Sequence, residues 1–351
     1  MQKFSLSNSV NASQQNQINL SLIFNYLRAS GWTNRSRIAE DLGLSIPAVS
    51  RGMDTLEELG CIIKQVDDRG RTRKGTLVYS VNPDHGFVLA LDLLSIETEA
   101  VVVDFAGRIR CAEKGFKPEE SRDVVRDLLT LTDRCVDRFV AICGHPAEKI
   151  RAISLGVPAV VNRSTGKLLL SYYESYEAVD FREVLGNKYG VPVHMENISS
   201  LSAVGEREYG NLTHGENVVL LEIGNGIGSG ILINGGVHRG NGFAGEIGFS
   251  LTENDDVVLP SGRTGLLEKK ASLAAVKLNI LHELSFGVES SLTPIYKRDS
   301  SEITPHAIFQ HALDGDHLCR TAITSMVRRI ATALHNVIVV LDPDAIIIGG
   351  D

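Results

Sequence analysis

The sequence lacks the long apolar segments of membrane and exported proteins. No uninterrupted apolar run reaches the roughly 18 residues that a membrane-spanning helix needs. The N-terminal stretch MQKFSLSNSVNASQQNQ is polar and has no apolar centre of the kind that signal peptides carry. We therefore expect a cytoplasmic protein with no membrane span.

Cysteines are also scarce in this chain. There are five, an odd number, and no two of them form a Cys-x-x-Cys pair. Scattered cysteines of this kind are typical of the reducing cytoplasm, and they argue against a disulfide framework or a cysteine-rich metal site.

Excess positive charge is confined to the start of the chain. Residues 1–80 contain ten Lys and Arg against seven Asp and Glu, whereas the remaining 271 residues contain 25 against 36. Because an acidic surface repels the phosphates of DNA, only the first segment is suited to contact nucleic acid.

The first sixty residues show three helical patterns in close succession. The second pattern runs from about Ser36 to Leu42, and Gly43 is a typical helix stop. Ser45 is a good N-cap for the third helix, and Pro47 suits its first turn. Two short helices joined by a tight turn predict a helix-turn-helix, whose second helix enters the major groove. The residues of the first and third helices predicted to face inward are Ile18, Leu22, Ile23, Tyr26, Leu27, Val49, Met53, Leu56 and Leu59.

The outward face of the third helix and a basic turn after it are candidate DNA contacts. Two predicted strands, 61–66 and 76–81, enclose the sequence DDRGRTRKG, which is typical of the wing that touches phosphates beside a recognition helix. Short side chains on the helix allow the backbone to approach the groove, and Arg51 can reach a phosphate or a guanine edge. The candidate DNA contacts are Ser45, Ala48, Ser50, Arg51, Arg69, Arg71, Arg73 and Lys74. The alternative is a small helical domain with a solvated charged loop, but the order of these elements favours DNA binding.

The rest of the chain predicts two α/β lobes. From Gly86 onward, three short strands in hairpins precede an alternation of helices and strands. A long helix over about Leu318–Val340 then leads into the apolar stretch AIIIGG near the end of the chain.

The chain resembles the ROK family (repressors, open reading frames and kinases) over nearly its whole length. The stretch NRSRIAEDLGLSIPAVSRGMDTLEELGCI is similar to the helix-turn-helix of the ROK repressors. The glycine-rich segment 221–249 is the most specific match in the body, and ISLGVPAVVN, ENISSLSAVGE and LDPDAIIIGG also match.

The resemblance implies an α/β (α+β overall) fold class in two parts. A winged helix-turn-helix over 1–82 is expected to precede a sugar-kinase-like domain over 83–351, with a two-lobed actin-like (ribonuclease H-like ATPase) fold. The family usually continues for a few more elements beyond the position of Asp351, so either the sequence is truncated there or this domain is shortened at its C-terminus.

The same resemblance predicts that the chain is not an enzyme. The family's catalytic base is the aspartate of a Glu-Asn-Asp motif, which here reads Glu196-Asn197-Ile198, and isoleucine cannot accept a proton. The first phosphate loop is also degenerate, since Leu94 stands where the family has glycine. The second loop, Gly224–Gly230, keeps its glycines and either admits a nucleotide or makes a tight turn between strands; we favour the turn.

Metal and cofactor sites are predicted to be absent. The family's zinc-binding histidine is replaced by Phe249, and its three cysteines by Leu259, Ser261 and Leu266. Of the sugar-contacting positions that the resemblance implies, Asn197, Glu246 and Glu268 are kept.

These observations favour a DNA-binding transcriptional regulator, most simply a repressor of carbohydrate-metabolism genes. We expect a homodimer that binds double-stranded operator DNA and responds to a small sugar or sugar derivative in a non-catalytic cleft. Two alternatives stay open: a ROK sugar kinase with an accessory DNA-binding domain, and a ligand-independent DNA-binding scaffold.

Overall fold

A computed structural model describes residues 12–67, 76–94, 97–162, 165–210, 215–251 and 266–350. The N-terminal elements form a small three-helix unit with a β-hairpin. They are α1 (Ala12–Ser30), α2 (Arg35–Leu42), α3 (Ile46–Glu58), β1 (Ile62–Asp67) and β2 (Thr76–Val81). Strands β1 and β2 pair antiparallel, which is the order and pairing of a winged helix-turn-helix.

Local sequence signals set the turn between α2 and α3. Gly43 ends α2 in the left-handed region at φ 63°, where a residue with a Cβ would be strained. Ser45 begins α3 as predicted, and its side-chain oxygen accepts a hydrogen bond from the Ala48 backbone N–H at 3.4 Å. Both predicted signals are therefore confirmed.

The predicted inward face of these helices is correct only in part. Ile23 and Leu27 are fully buried, but Ile18 is 48% exposed and Leu22 is 43% exposed. Helix α1 meets α3 along a narrow stripe, with Ile23 so close to Gly52 that a Cβ there would lie 2.6 Å from it. Leu59 is 56% exposed because it caps the end of α3, where the chain turns towards β1. The prediction was therefore wrong for three residues, which are exposed: Ile18, Leu22 and Leu59.

The first lobe of the body is built on a mixed five-stranded sheet of order β5-β4-β3-β6-β9. Strands β3, β4 and β5 are antiparallel neighbours, while β6 runs parallel to both β3 and β9. The elements of this lobe are β3 (Phe87–Asp92), β4 (Glu99–Asp104), β5 (Ile109–Lys114), α4 (Val124–Cys143), β6 (Ile150–Val157), β7 (Ala159–Val161), β8 (Leu168–Ser171), α5 (Glu174–Glu177), α6 (Phe181–Tyr189) and β9 (Val193–Asn197).

The second lobe is built on a four-stranded sheet of order β12-β11-β10-β13. Its last strand, near the end of the chain, pairs parallel with β10. The elements are α7 (Ile198–Tyr209), β10 (Val218–Ile223), β11 (Ile227–Ile233), β12 (Gly236–Val237), α8 (Leu266–Ala271), α9 (Leu273–Ser285), α10 (Thr293–Arg298), α11 (Pro305–Leu313), α12 (His317–Leu341) and β13 (Ala345–Gly350). The protein thus has the predicted α/β class, with a winged helix-turn-helix and an actin-like two-lobed body.

Helix α12 differs from the sequence expectation in one respect. Among the described residues it is the single helix long and apolar enough to satisfy the length and composition of a membrane span. Its buried residues Met326, Ile330 and Ala333 join the core of the second lobe. One face of α12 therefore packs as a core helix.

Candidate DNA-contacting surface and ligand cavity

The start of α3 presents the predicted recognition residues at the surface. Ser45 and Arg51 are exposed, whereas Ala48 and Ser50 are half-buried. Ala48 and Arg51 are three positions apart and so share one helix face. The four basic residues predicted for the wing (Arg69, Arg71, Arg73 and Lys74) lie outside the described residues.

A cavity of about 80 Å³ lies where the two lobes meet, at the carboxyl end of β9. Its lining includes two arginines and two glutamates. The lining residues are Val161, Arg182, Met195, Glu196, Asn197, Ser200, Arg239, Gly242, Ala244 and Glu246. Of the three predicted sugar-contacting residues, Asn197 and Glu246 are therefore at the cavity wall and Glu268 is not.

Asn197 lies at the junction between β9 and α7, and both polar atoms of its side chain bind backbone. The side-chain oxygen accepts a hydrogen bond from the Ser200 N–H at 3.2 Å, and the amide nitrogen donates to the carbonyl of Ala159 at 3.2 Å. Asn197 thus caps α7 and fixes the direction in which that helix leaves the cavity.

Arg239 and Glu196 form an ion pair across the cavity, which the sequence analysis did not predict. The Arg239 Nε donates to one oxygen of Glu196, and the other oxygen accepts from the Asn197 N–H at 3.1 Å. Arg239 stands in an irregular segment after β12. No periodic pattern marks such a position, so sequence reasoning had no signal for it.

The other two predicted sugar contacts, Glu246 and Glu268, are half-buried and close enough for their charges to interact. Burial, and secondarily the charge of Glu268, raises the pKa of Glu246 to about 7. Burial also raises the pKa of Glu268, although the Ile227 N–H, which donates to its carboxylate at 2.8 Å, acts in the opposite direction. Glu268 therefore lies behind the cavity wall, at the turn between β10 and β11.

Ile198, which the resemblance predicts to stand at the family's catalytic-base position, is the first residue of α7. Its side chain packs over Gly156 of β6, where no Cβ would fit. This residue contributes packing to the floor of the cleft and has no group that can take up a proton.

In the described part of the loop after β3, backbone groups of Leu93 and Leu94 bind side chains of the same lobe. The Asp92 carboxylate accepts from the Leu94 N–H at 2.8 Å, and the buried Tyr176 hydroxyl donates to the Leu93 carbonyl at 3.1 Å. The Tyr173 hydroxyl reaches the Leu94 carbonyl at 3.5 Å, and burial raises the pKa of Tyr173 to about 12.

The glycines of the second loop have a packing role that the sequence analysis missed. The first of them make the predicted tight turn, in which the Gly224 N–H donates to the Gly226 carbonyl at 3.0 Å. Beyond the turn, Gly228 and Gly230 lie directly beneath α7, and a Cβ on either would collide with Ser199. Glycines two apart in a strand share one face, and this spacing was the available signal.

Helix α7 also reaches the N-terminal unit at its other end. Arg28 of α1 forms an ion pair with Glu208 at 3.0 Å and donates to the Tyr209 hydroxyl at 3.2 Å. Alongside, the rings of Phe24 and Phe105 lie 5.1 Å apart, centroid to centroid. The helix that starts at the cavity therefore ends against the first helix of the winged unit.

Two of the residues predicted to replace the family's zinc ligands, Leu259 and Ser261, lie outside the described residues. Phe249, at the family's histidine position, is half-buried and its ring meets Phe243 edge-on, with the centroids 6.4 Å apart. Within the described ranges no cluster of three or more His, Cys, Asp or Glu side chains could hold a metal ion.

The sequence of the chain is similar to those of known regulators. The xylose repressor of Caldicellulosiruptor bescii is 27% identical over 335 residues, which are 95% of this chain and 83% of that protein. The transcriptional dual regulator NagC of Escherichia coli K12 is 24% identical over 95% of this chain and 80% of its own length.

Solved structures show the same fold. A crystal structure of a ROK transcriptional regulator, a homologue of the Escherichia coli MLC protein, superposes with a TM-score of 0.78 at 22% identity, covering 96% of this chain and 83% of that one. A ROK hexokinase from Thermus thermophilus superposes with a TM-score of 0.59 at 22% identity, covering 76% of this chain and 82% of its own. The sequence model of the ROK family matches residues 88–351. This chain belongs to the ROK family.

Proposed function

We propose that this protein is a sugar-responsive transcriptional repressor of carbohydrate-metabolism genes. Residues 1–82 form the DNA-binding domain and residues 83–351 form a sensor domain that has no kinase activity. The observation that carries the proposal is the path of α7, whose first residues line or adjoin the cavity and whose last residues contact α1.

The DNA-binding half of the proposal is supported by the winged unit. Arg51 is exposed near the start of α3, where recognition helices contact base edges. The basic residues Arg69, Arg71, Arg73 and Lys74 are proposed to contact phosphates from the wing. Two relatives, the xylose repressor and NagC, are named as a repressor and a DNA-binding regulator.

The sensor half is supported by the cavity. We propose that Glu246 and the Asn197 amide bind hydroxyls of the effector, while Glu268 holds the β10–β11 turn behind them. Because Asn197 caps α7, a ligand that competes for its amide changes the start of that helix. Twelve residues of α-helix span about 18 Å, so a small tilt at the cavity is carried to Glu208.

The absence of kinase activity is proposed from two substitutions. Ile198 stands in place of the expected proton acceptor, and Leu94 stands in place of the expected glycine of the first phosphate loop, where its N–H already binds the Asp92 carboxylate. The repressor names of the relatives support the absence of kinase activity, although kinases of the family share the fold.

We further propose a homodimer in the cytoplasm, with one winged unit on each half of a palindromic operator.

The test is DNA binding with and without sugar. Genomic fragments captured by the full chain are sequenced to define the operator, and the Kd is then measured with D-xylose, N-acetylglucosamine and other sugars added. We expect salt-sensitive, sequence-specific binding that one sugar or sugar derivative weakens; couplings of this kind are typically ~1–3 kcal/mol. Specific binding that no sugar alters supports the ligand-independent scaffold, and no preference for any duplex contradicts the proposal.

A further inference from the structure

The two arginines of the cavity differ in their ion pairing. Arg239 is neutralised by Glu196 across the cavity. Arg182, the other arginine of the lining, lies at the start of α6 and forms no ion pair with any carboxylate in the part of the chain that the structure describes. Its Nε is buried and has no hydrogen-bond partner.

A glycine leaves the space that the Arg182 side chain fills. The guanidinium lies against Gly166, in the turn between β7 and β8, and a Cβ on that residue would collide with it. Gly166 has φ +71°, a conformation that other residues rarely adopt. The turn and α6 therefore enclose the arginine at the cavity wall.

A half-buried guanidinium without a partner is costly, because the protein does not replace the hydrogen bonds that water gave it. Its planar fork of donors matches the two oxygens of a carboxylate or a phosphate. Glu246, the other cavity carboxyl, also forms no ion pair among the described residues, and burial favours its neutral form. A neutral Glu246 leaves the positive charge of Arg182 uncompensated.

We propose that the effector is an anionic sugar derivative, whose carboxylate or phosphate group binds Arg182 while its hydroxyl groups contact Glu246. This inference rests on the proposed function, since it names the ligand class of the same cavity. A neutral sugar offers the Arg182 guanidinium only hydroxyl oxygens, whereas a sugar acid or sugar phosphate offers a charged group that also neutralises it.

The experiment compares matched neutral and anionic probes on the full chain. Calorimetric titration measures the Kd of D-glucose, D-gluconate and D-glucose 6-phosphate, and of D-xylose and D-xylonate. We expect an anionic probe to bind at least about tenfold more tightly than its neutral parent, because charge-assisted hydrogen bonds are the stronger kind. The acid and phosphate arms decide which anionic group the site takes.

Variants assign the effect to this arginine. Arg182→Met should bring the anionic and neutral probes to similar affinity, and Arg182→Lys, which keeps the charge without the fork, should retain part of the difference. Arg138→Met, an exposed arginine of α4 paired with Glu113, is the matched control and should change neither affinity. The lysine variant keeps the test valid if the methionine variant is unstable.

Each outcome separates the inference from the function on which it rests. A neutral sugar that binds as tightly as its acid and phosphate, with no change of preference in Arg182→Met, overturns the anionic effector but leaves the sugar-responsive repressor intact. If no probe binds and none alters operator affinity, the sensor function itself is contradicted.

Discussion

Arg28 of α1 and Glu208 of α7 form an ion pair, with Nη2 and Oε2 3.0 Å apart, across 180 positions of the sequence. Both side chains are about 30% exposed, and the charges of Arg207 and Arg28 hold the pKa of Glu208 below its ordinary value. The pair joins the winged unit to the helix that begins at the cavity. Breaking this ion pair therefore tests whether the proposed signal passes from the cavity to the winged unit through α7.

Arg28→Met should weaken the effect of the effector on operator affinity while leaving DNA binding without effector nearly unchanged. Exposed ion pairs contribute ~0.2–1 kcal/mol, so we expect the effector response to fall by about 1.5- to 5-fold. Titration of a labelled operator with and without effector measures this. Arg298→Met, which breaks an exposed pair with Glu302 elsewhere in the body, should leave the response intact. An undiminished response in the Arg28 variant would show that the signal does not pass through this pair.

Arg51→Ala should reduce operator affinity. A guanidinium that reads a base contributes about 1–3 kcal/mol, which corresponds to roughly a 5- to 150-fold increase in Kd. Binding isotherms on the captured operator provide the measurement, and Arg126→Ala, an exposed arginine of α4, serves as the control. Equal affinity of the two variants for the operator would contradict a DNA-contacting role for Arg51.

Removal of the four wing charges (Arg69, Arg71, Arg73 and Lys74, each to Ala) should flatten the salt dependence of DNA binding. Each phosphate that the wing no longer neutralises changes the slope of log K against log salt by about 0.9, so the slope should fall by up to about 4. The Kd is measured across a salt series on the operator and on an unrelated duplex. A slope identical to that of the parent protein would mean that these residues do not touch DNA.

Glu246→Gln should alter the pH dependence of stability. The pKa of Glu246 is about 7 in the folded protein and near 4.5 otherwise, so between these values only the folded state holds the proton. Stability from this group is therefore present below pH 4.5 and is lost as the pH rises to 7, by up to about 3 kcal/mol. The glutamine variant should unfold at a temperature similar to the parent at pH 5 and at a higher one at pH 8.

Thermal unfolding at intervals from pH 5 to pH 8 measures this difference. Glu148→Gln, at an exposed position of the first lobe, should follow the parent at every pH. A constant offset between the Glu246→Gln variant and the parent at all pH values would contradict the raised pKa.

Neither the parent chain nor Ile198→Asp should release ADP from ATP in the presence of sugars. The variant regains a proton acceptor, but Leu94 still stands in the loop after β3, and its N–H, which a phosphate would need as a donor, still binds the Asp92 carboxylate at 2.8 Å. A coupled ADP-release assay over a sugar panel measures turnover, and operator binding by the variant checks that it is folded. Enzymatic turnover by the parent chain would favour the alternative of a kinase with an accessory DNA-binding domain.

Much of the local structure was predictable because it depends on neighbours in the sequence. Gly43 and Ser45 define the turn before α3 through their own backbone preferences and through hydrogen bonds to residues three or four positions away. The strands of the body follow from short apolar runs between turns. The isoleucine at position 198 could likewise be identified from its motif alone.

The contacts that join distant segments could not be predicted in this way. The burial of α1 depends on where α3 crosses it, so the same apolar pattern left Ile18 exposed and Ile23 buried. The pairing of Arg239 with Glu196, and the absence of a partner for the Arg182 Nε among the described residues, arise only when the two lobes enclose a common cavity. Side-chain type and spacing thus determined the helices and strands and placed an isoleucine at position 198. The charge balance of the cavity and the contact between α7 and α1 were decided by tertiary packing, because they depend on distances between groups that lie far apart in the sequence.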